Sequence, residues 1–121
     1  MPKKILIVED YEDSRTLMKY LLETYGFQVI EAKDGIEAFD KFKQFHPDLI
    51  LMDLSLPVVD GLMATKAIRQ CGGEEVPIIA VTAFGKLYYR KAIEAGCKDL
   101  IGKPLDFDSF EPIVNNYLNG H

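Results

Sequence analysis

Leu49-Ile50-Leu51-Met52-Asp53 is a run of four apolar residues closed by a carboxylate. Successive side chains of a strand point to opposite faces, so a strand this apolar is covered on both sides. That is the situation of a strand inside a parallel sheet sandwiched between helices. Two more stretches read the same way. Ile5-Leu6-Ile7-Val8 is followed by Glu9-Asp10, and Ile78-Ile79-Ala80-Val81 is followed by Thr82. Phe27-Gln28-Val29-Ile30 is mixed and suits an edge strand. Lys98 to Gly102 is the weakest strand pattern and a second edge.

Amphipathic segments separate these runs. Leu17, Leu21 and Tyr25, with Met18 and Leu22 alongside, predict a helix from about Asp13 to Tyr25, stopped by Gly26. Asp34 and Glu37 form a capping-box pattern ahead of Ile36, Phe39 and Phe42, and Pro47 ends that segment. Asp60-Gly61 opens a third helix that closes at Gly72-Gly73. Leu87 to Ala95 is a fourth, and Phe107 to Leu118 a fifth with Phe110, Val114 and Tyr117 on one face. Asp108 and Glu111 read as a second capping box, so Pro112 requires that the fifth helix start late or kink. Strands alternating with helices imply right-handed βαβ units. The expected fold is α/β and flavodoxin-like: a doubly wound five-stranded parallel sheet in three layers, order 2-1-3-4-5, with five helices.

The chain has 121 residues, 48% of them hydrophobic, enough for one domain and one core. Residues 1–121 are therefore expected to be a single domain with no DNA-binding module. The charge sum, 14 minus 19, is −5, which disfavours direct DNA binding. No segment approaches the ~20 apolar residues of a membrane helix. Cys71 and Cys97 are too few for a disulfide framework and suit a cytoplasmic setting.

In doubly wound sheets ligands bind outside the carboxyl ends of the strands. Here those ends carry Glu9 and Asp10, Asp53, Thr82 and Lys103, from four segments. Singly, an aspartate after a strand is most often a turn residue or cap, and a lysine a solvated charge. Converging on one crevice, they point to chemistry. Three carboxylates against one lysine need a further cation, and hard oxygen ligands in an open site favour Mg²⁺. A carboxylate can act as a nucleophile and yield an acyl phosphate, and a metal, an ammonium and a hydroxyl suit phosphoryl transfer.

Taken with these motifs, the sequence resembles the receiver domain of bacterial two-component response regulators, over nearly its whole length. The resemblance rests on Ile5 to Asp10, on Asp48-Leu49-Ile50-Leu51-Met52-Asp53-Leu54-Ser55-Leu56-Pro57, on Asp60-Gly61, on Val81-Thr82-Ala83 and on Lys103-Pro104. Val81-Thr82-Ala83-Phe84 is also similar to stand-alone receivers of the cell-cycle type. The resemblance implies that Asp53 is the phosphoacceptor. It implies that Glu9, Asp10, Asp53 and the backbone carbonyl of Ser55 hold Mg²⁺. Lys103 would pair with Asp53 and then with the phosphoryl oxygens, Thr82 would swing in to bond the phosphoryl group, and Ala83 would leave access to it. The Lys103-Pro104 bond would be cis. The phosphoryl donor would be a histidine kinase or histidine phosphotransfer protein, and the listener a downstream effector protein. The domain would be a monomer and no enzyme beyond its own phosphorylation and dephosphorylation.

Some positions depart from the family pattern. Leu100 stands where an aromatic residue often couples to the threonine, and reads as a residue buried in the fifth strand. Ser55 and Phe84 occupy positions that tune the acyl-phosphate lifetime. Phe84 either shields the bond, giving slow self-dephosphorylation, or only packs on the fourth helix. Leu87, Tyr88 and Tyr89 crowd that helix, and an exposed tyrosine there is a candidate partner contact. Two rivals are weaker. Haloacid-dehalogenase-like phosphatases need an aspartate at the position of Ser55 and a nucleophile after the first strand. A pseudo-receiver lacks an acidic residue, the Thr or the Lys, and all are present here.

Overall fold

The structure, a computed structural model, describes residues 2–55, 60–105 and 107–118. The Leu56-Pro57 end of the motif around Asp53 lies outside the described residues. Strands and helices alternate: β1 (Lys4–Val8), α1 (Glu12–Thr24), β2 (Gln28–Ala32), α2 (Gly35–Phe45), β3 (Leu49–Asp53), α3 (Gly61–Gln70), β4 (Ile78–Thr82), α4 (Lys86–Ala95), β5 (Asp99–Gly102) and α5 (Phe107–Leu118). All strand pairs are parallel and the order is β2-β1-β3-β4-β5. This is the topology expected from the apolar runs.

The pleat divides the interior into two cores. Leu6, Val8, Ile50, Met52, Ile78 and Ala80 face α2, α3 and α4, where Ala38, Phe42, Ala64, Ile68 and Ala92 are buried. Ile5, Ile7, Leu49, Leu51, Ile79 and Val81 face α1 and α5, where Met18, Leu22, Phe110 and Val114 are buried. β3 and β4 are buried throughout, which is why their sequences contain no alternation.

Three local readings need correction. β2 runs Gln28–Ala32, starting one residue and ending two residues later than expected, because its register matches it to all five residues of β1. Glu31 is tolerated inside it because α1 supplies cations: Arg15 Nε lies 3.2 Å and Lys19 Nζ 3.4 Å from its carboxylate. On α1 the inward pair is Met18 and Leu22, while Leu17 is exposed at the rim. On α2 Ile36 also faces outward, since the Asp34 cap, accepting from the Glu37 N–H at 2.8 Å, leaves the inward positions to Ala38 and Phe42. α5 has the expected bounds, Phe107–Leu118, and of the two outcomes expected at Pro112 the late start is excluded. It begins at Phe107, with Asp108 in its first turn and Pro112 inside it, and Phe110 and Val114 are buried on either side of the proline. The Lys103-Pro104 peptide is cis, as expected.

Asp60 caps α3 through the Met63 N–H at 2.9 Å, and Gly61 brings the helix against the end of β3. A Cβ at 61 would collide with the Asp53 carbonyl oxygen and lie 2.8 Å from Leu54 Cα. Both neighbours are backbone and have no rotamer to relax. Gly61→Ala is expected to lose about 1–3 kcal/mol, as overpacked sites do. Urea denaturation measures it, and a variant as stable as wild type would show that this junction has slack.

Candidate functional site

The strand ends are staggered so that their following residues meet. Val8 pairs with Met52, Asp53 with Val81, and Thr82 with Gly102. Backbone bonds extend the sheet past its strands: Glu9 N–H to the Ala32 carbonyl at 3.0 Å, Leu54 N–H to Val81 at 3.2 Å, and Lys103 N–H to Thr82 at 2.9 Å. Glu9, Asp10, Asp53, Thr82 and Lys103 are thereby carried to one edge.

One carboxylate oxygen from each of Glu9, Asp10 and Asp53 lies within 4.8 Å of the others. Glu9 and Asp53 are buried, at 1% and 4% exposure, and Asp10 is exposed. Asp53 Oδ1 accepts the Ser55 N–H at 3.0 Å, and Glu9 Oε2 accepts the Tyr11 N–H at 3.1 Å. Lys103 Nζ lies 3.5 Å from Asp53 Oδ2 but 2.7 Å from Glu9 Oε1. Its nearer partner is thus Glu9 rather than Asp53. The extra methylene of glutamate lets the β1 carboxylate reach across the crevice to the lysine.

Charge explains the perturbations. Burial pushes the Glu9 carboxyl up, Lys103 draws it down and Asp53 pushes it up again, leaving it above its ordinary 4.5. Burial lowers Lys103, but the Glu9 and Asp53 carboxylates outweigh it and leave the ammonium above its ordinary 10.5. Three carboxylates against one ammonium leave a deficit of positive charge that suits a divalent cation with oxygen ligands.

Thr82 is buried, and its Oγ1 accepts the Phe84 N–H at 3.1 Å. Ala83 is exposed. The Phe84 ring is half open to solvent and sits 5.6 Å from the Tyr88 ring. Tyr88 and Leu100 are partly buried and pack on the same core cluster. Leu87 and Tyr89 point outward, at 79% and 52% exposure. Cys97 is buried beside Thr65, its thiol pushed up by burial, and Cys71 is exposed; both are free thiols. Arg15 was not marked by any motif, yet its Nη1 donates to the Glu9 carbonyl at 2.9 Å. Nothing in the sequence links it to Glu9 and Glu31, which only the fold brings to either side of it.

The response regulator receiver domain family model matches residues 5–115. The chain belongs to this family. The polar-differentiation response regulator DivK of Brucella anthropi is 39% identical over 120 residues, covering 98% of both chains, and DivK of Brucella abortus is 40% identical over 122 residues with the same coverage. Among solved structures, a putative response regulator from Chloroflexus aurantiacus superposes with a TM-score of 0.94 at 30% identity, covering 98% of this chain and 99% of that one. The receiver domain of a Pseudomonas aeruginosa sensor histidine kinase, with a magnesium ion in its active site cleft, gives 0.90 at 34% identity, with the same coverage. These relatives are signalling proteins, and this receiver shares the fold of the solved ones. No helix among the described residues is long and apolar enough to cross a membrane.

The raised Glu9 carboxyl means that the folded receiver binds a proton above about pH 4.5 that the unfolded chain has released. The unfolded state then holds fewer protons, so Glu9's contribution makes stability fall as pH rises through that window. Lys103 has the same sign further up: its stabilisation is full below 10.5 and is lost as pH rises through its raised folded value. Asp53→Asn removes a carboxylate that pushes Glu9 up. In metal-free protein at neutral pH it is expected to gain roughly 1–3 kcal/mol, with a flatter acidic slope. Urea unfolding across pH, in EDTA, checks this; an unchanged slope would show that the two carboxylates are uncoupled.

Proposed function

We propose that this receiver accepts a phosphoryl group on Asp53 from a phosphohistidine and signals through a surface change read by another protein. One observation carries the reading: a carboxylate nearly closed to solvent at the end of a central strand, with two more carboxylates and an ammonium beside it and Thr82 ending the neighbouring strand. Bonds from the Ser55 N–H and Lys103 Nζ fix the orientation of the Asp53 carboxylate. A carboxylate oxygen attacks phosphorus as the phosphorus–nitrogen bond breaks, and the electron pair returns to the donor imidazole. Lys103 is within a short movement of the incoming phosphoryl oxygens, and the Thr82 hydroxyl is one strand away.

The acidic cluster fits Mg²⁺. Its oxygen donors are hard, their separation suits one ion, and exposed Asp10 leaves the site open to water. Glu9, Asp10, Asp53 and the Ser55 carbonyl would hold it. When bound, it supplies charge neutralisation for the carboxylates and the phosphoryl oxygens.

A histidine kinase or histidine phosphotransfer protein is the proposed donor. A co-crystal of the Saccharomyces cerevisiae phosphotransfer protein Ypd1 with the receiver domain of Ssk1 supports that class: the Ssk1 receiver superposes with a TM-score of 0.90 at 29% identity, with 98% of this chain and 90% of that one covered. Leu87 and Tyr89 on α4 are proposed to contact the effector, Tyr88 being turned toward the core. The DivK regulators are matched over 98% of their own length, which supports reading residues 1–121 as one receiver domain. The free thiols suit a reducing cytoplasm.

Incubation with acetyl phosphate and Mg²⁺ is expected to add the mass of one phosphoryl group, and Asp53→Asn is expected to abolish the gain. No gain in wild type would favour a partner-binding domain that is not phosphorylated. Phe84 cannot hold an attacking water by hydrogen bonding. Phe84→Glu is therefore expected to speed hydrolysis of the acyl phosphate about tenfold, the worth of one ordinary hydrogen bond. Decay of the phosphorylated form after donor removal measures it. An unchanged or slower decay would mean that Phe84 only packs on Tyr88.

A further inference from the structure

Arg15 lies on the first turns of α1 with its side chain half-buried, at 18% exposure. It joins an acceptor on β2 to one just past the end of β1. Nη1 donates to the Glu9 carbonyl at 2.9 Å, and Nε donates to Glu31 Oε1 at 3.2 Å. Glu31 lies on β2 opposite Ile7 of β1, and its other oxygen accepts Lys19 Nζ at 3.4 Å. The Glu9 carbonyl is one residue beyond the end of β1. The N–H of Glu9 is still bonded to Ala32, and both carboxylate oxygens are held, by Lys103 and by Tyr11. Arg15 therefore completes the fixing of every polar group of Glu9.

The consequence falls on Asp10. The peptide from Glu9 to Asp10 is a rigid plane, so holding its oxygen sets the direction in which the Asp10 Cα departs. The Asp10 side chain is exposed and forms no hydrogen bond or ion pair with the described residues, yet its carboxylate sits within 4.8 Å of those of Glu9 and Asp53. Its place in the cluster rests on the backbone. Arginine suits the task because its planar fork bonds two acceptors at once, and Glu31 balances its charge.

We propose that Arg15, anchored by Glu31, is a positioning residue for the acidic cluster: it orients the Glu9–Asp10 peptide and so presents the carboxylates to a divalent cation. The inference rests on reading the cluster as a cation site. It makes a prediction opposite in sign to simple electrostatics. Removing a positive charge near carboxylates should tighten cation binding, whereas losing the orientation should weaken it.

The experiment measures Mg²⁺ affinity of the whole chain by titrating backbone amide NMR signals, well below each variant's unfolding temperature. It also measures the Mg²⁺ concentration giving half-maximal phosphorylation by acetyl phosphate. Arg15→Met is expected to weaken Mg²⁺ binding about tenfold or more, the usual cost of removing a group that orients metal ligands. The half-maximal concentration should rise in parallel, with the rate at saturating Mg²⁺ near that of wild type. Arg15→Lys, with a single donor centre, should restore only part. Glu31→Gln keeps the arginine, loosens its anchor and should weaken binding by a smaller factor, which guards against a poorly folded Arg15→Met. Lys19→Met, which removes a surface partner of Glu31, should leave affinity unchanged. Affinity in Arg15→Met equal to or tighter than wild type overturns the proposal, whatever its thermal stability; so does an equal loss in Lys19→Met. Wild type that binds no Mg²⁺ overturns the cation reading itself and this inference with it.

Discussion

The Lys103 ammonium reaches from beyond β5 to Glu9 beyond β1, at 2.7 Å, and holds together a group of like charges that would otherwise separate. β3 and β4 lie between those two strands, so this side-chain bridge spans the crevice over Asp53. Its geometry depends on much of the molecule: on glutamate rather than aspartate at position 9, on the Lys103 N–H bonded to Thr82, and on Glu9 tied to β2. One ammonium does not neutralise three carboxylates. The remaining repulsion is a strain kept by a well-packed sheet, and it is the same property that gives the crevice its affinity for positive charge.

The two cores make that arrangement affordable to the fold in a specific sense. Leu49 to Met52 and Ile78 to Val81 are apolar and buried on both faces, so the polar residues that mark register are Asp53 and Thr82 at the strand ends. Register then sets which residues stand at the edge. A shift of one residue in β3 would move Asp53 along the strand and turn it to the opposite face. Gly61 applies the same constraint from the other side, since α3 approaches the Asp53 backbone more closely than any side chain would allow.

The strands that matter most were legible because continuous apolar runs have few other readings, and the residue after each run fell where doubly wound folds place ligands. Asp34 and Asp60 marked helix starts through their side chains and cap as expected. Where the reading went astray, the deciding contact was distant. Glu31 made β2 look as if it ended early, because the cations that accommodate it lie on α1. Leu17 and Met18 are neighbours, and periodicity alone could not say which faced the sheet. Pro112 does not delay the start of α5, because a missing N–H costs less than the burial of Phe110 and Val114 around it. The preference of Lys103 for Glu9 depends on side-chain reach, which no spacing records.

The connection from the crevice to α4 is short. Thr82 Oγ1 holds the Phe84 N–H, the Phe84 ring rests on Tyr88, and Tyr88 shares a core cluster with Leu100. A threonine hydroxyl that turns to a new partner must change its contact with the Phe84 amide, and a net hydrogen bond is worth only about 1 kcal/mol. Such a bond can hold one arrangement of the β4–α4 turn, and a phosphoryl group on Asp53, as proposed, would need a differential interaction of only that size to displace it. With leucine at position 100, the contacts that lead from Thr82 to α4 are those of Phe84 and Tyr88. The exposed Leu87 and Tyr89 lie on that same helix, one residue on either side of Tyr88. Any repacking of Tyr88 would therefore act on the surface they form.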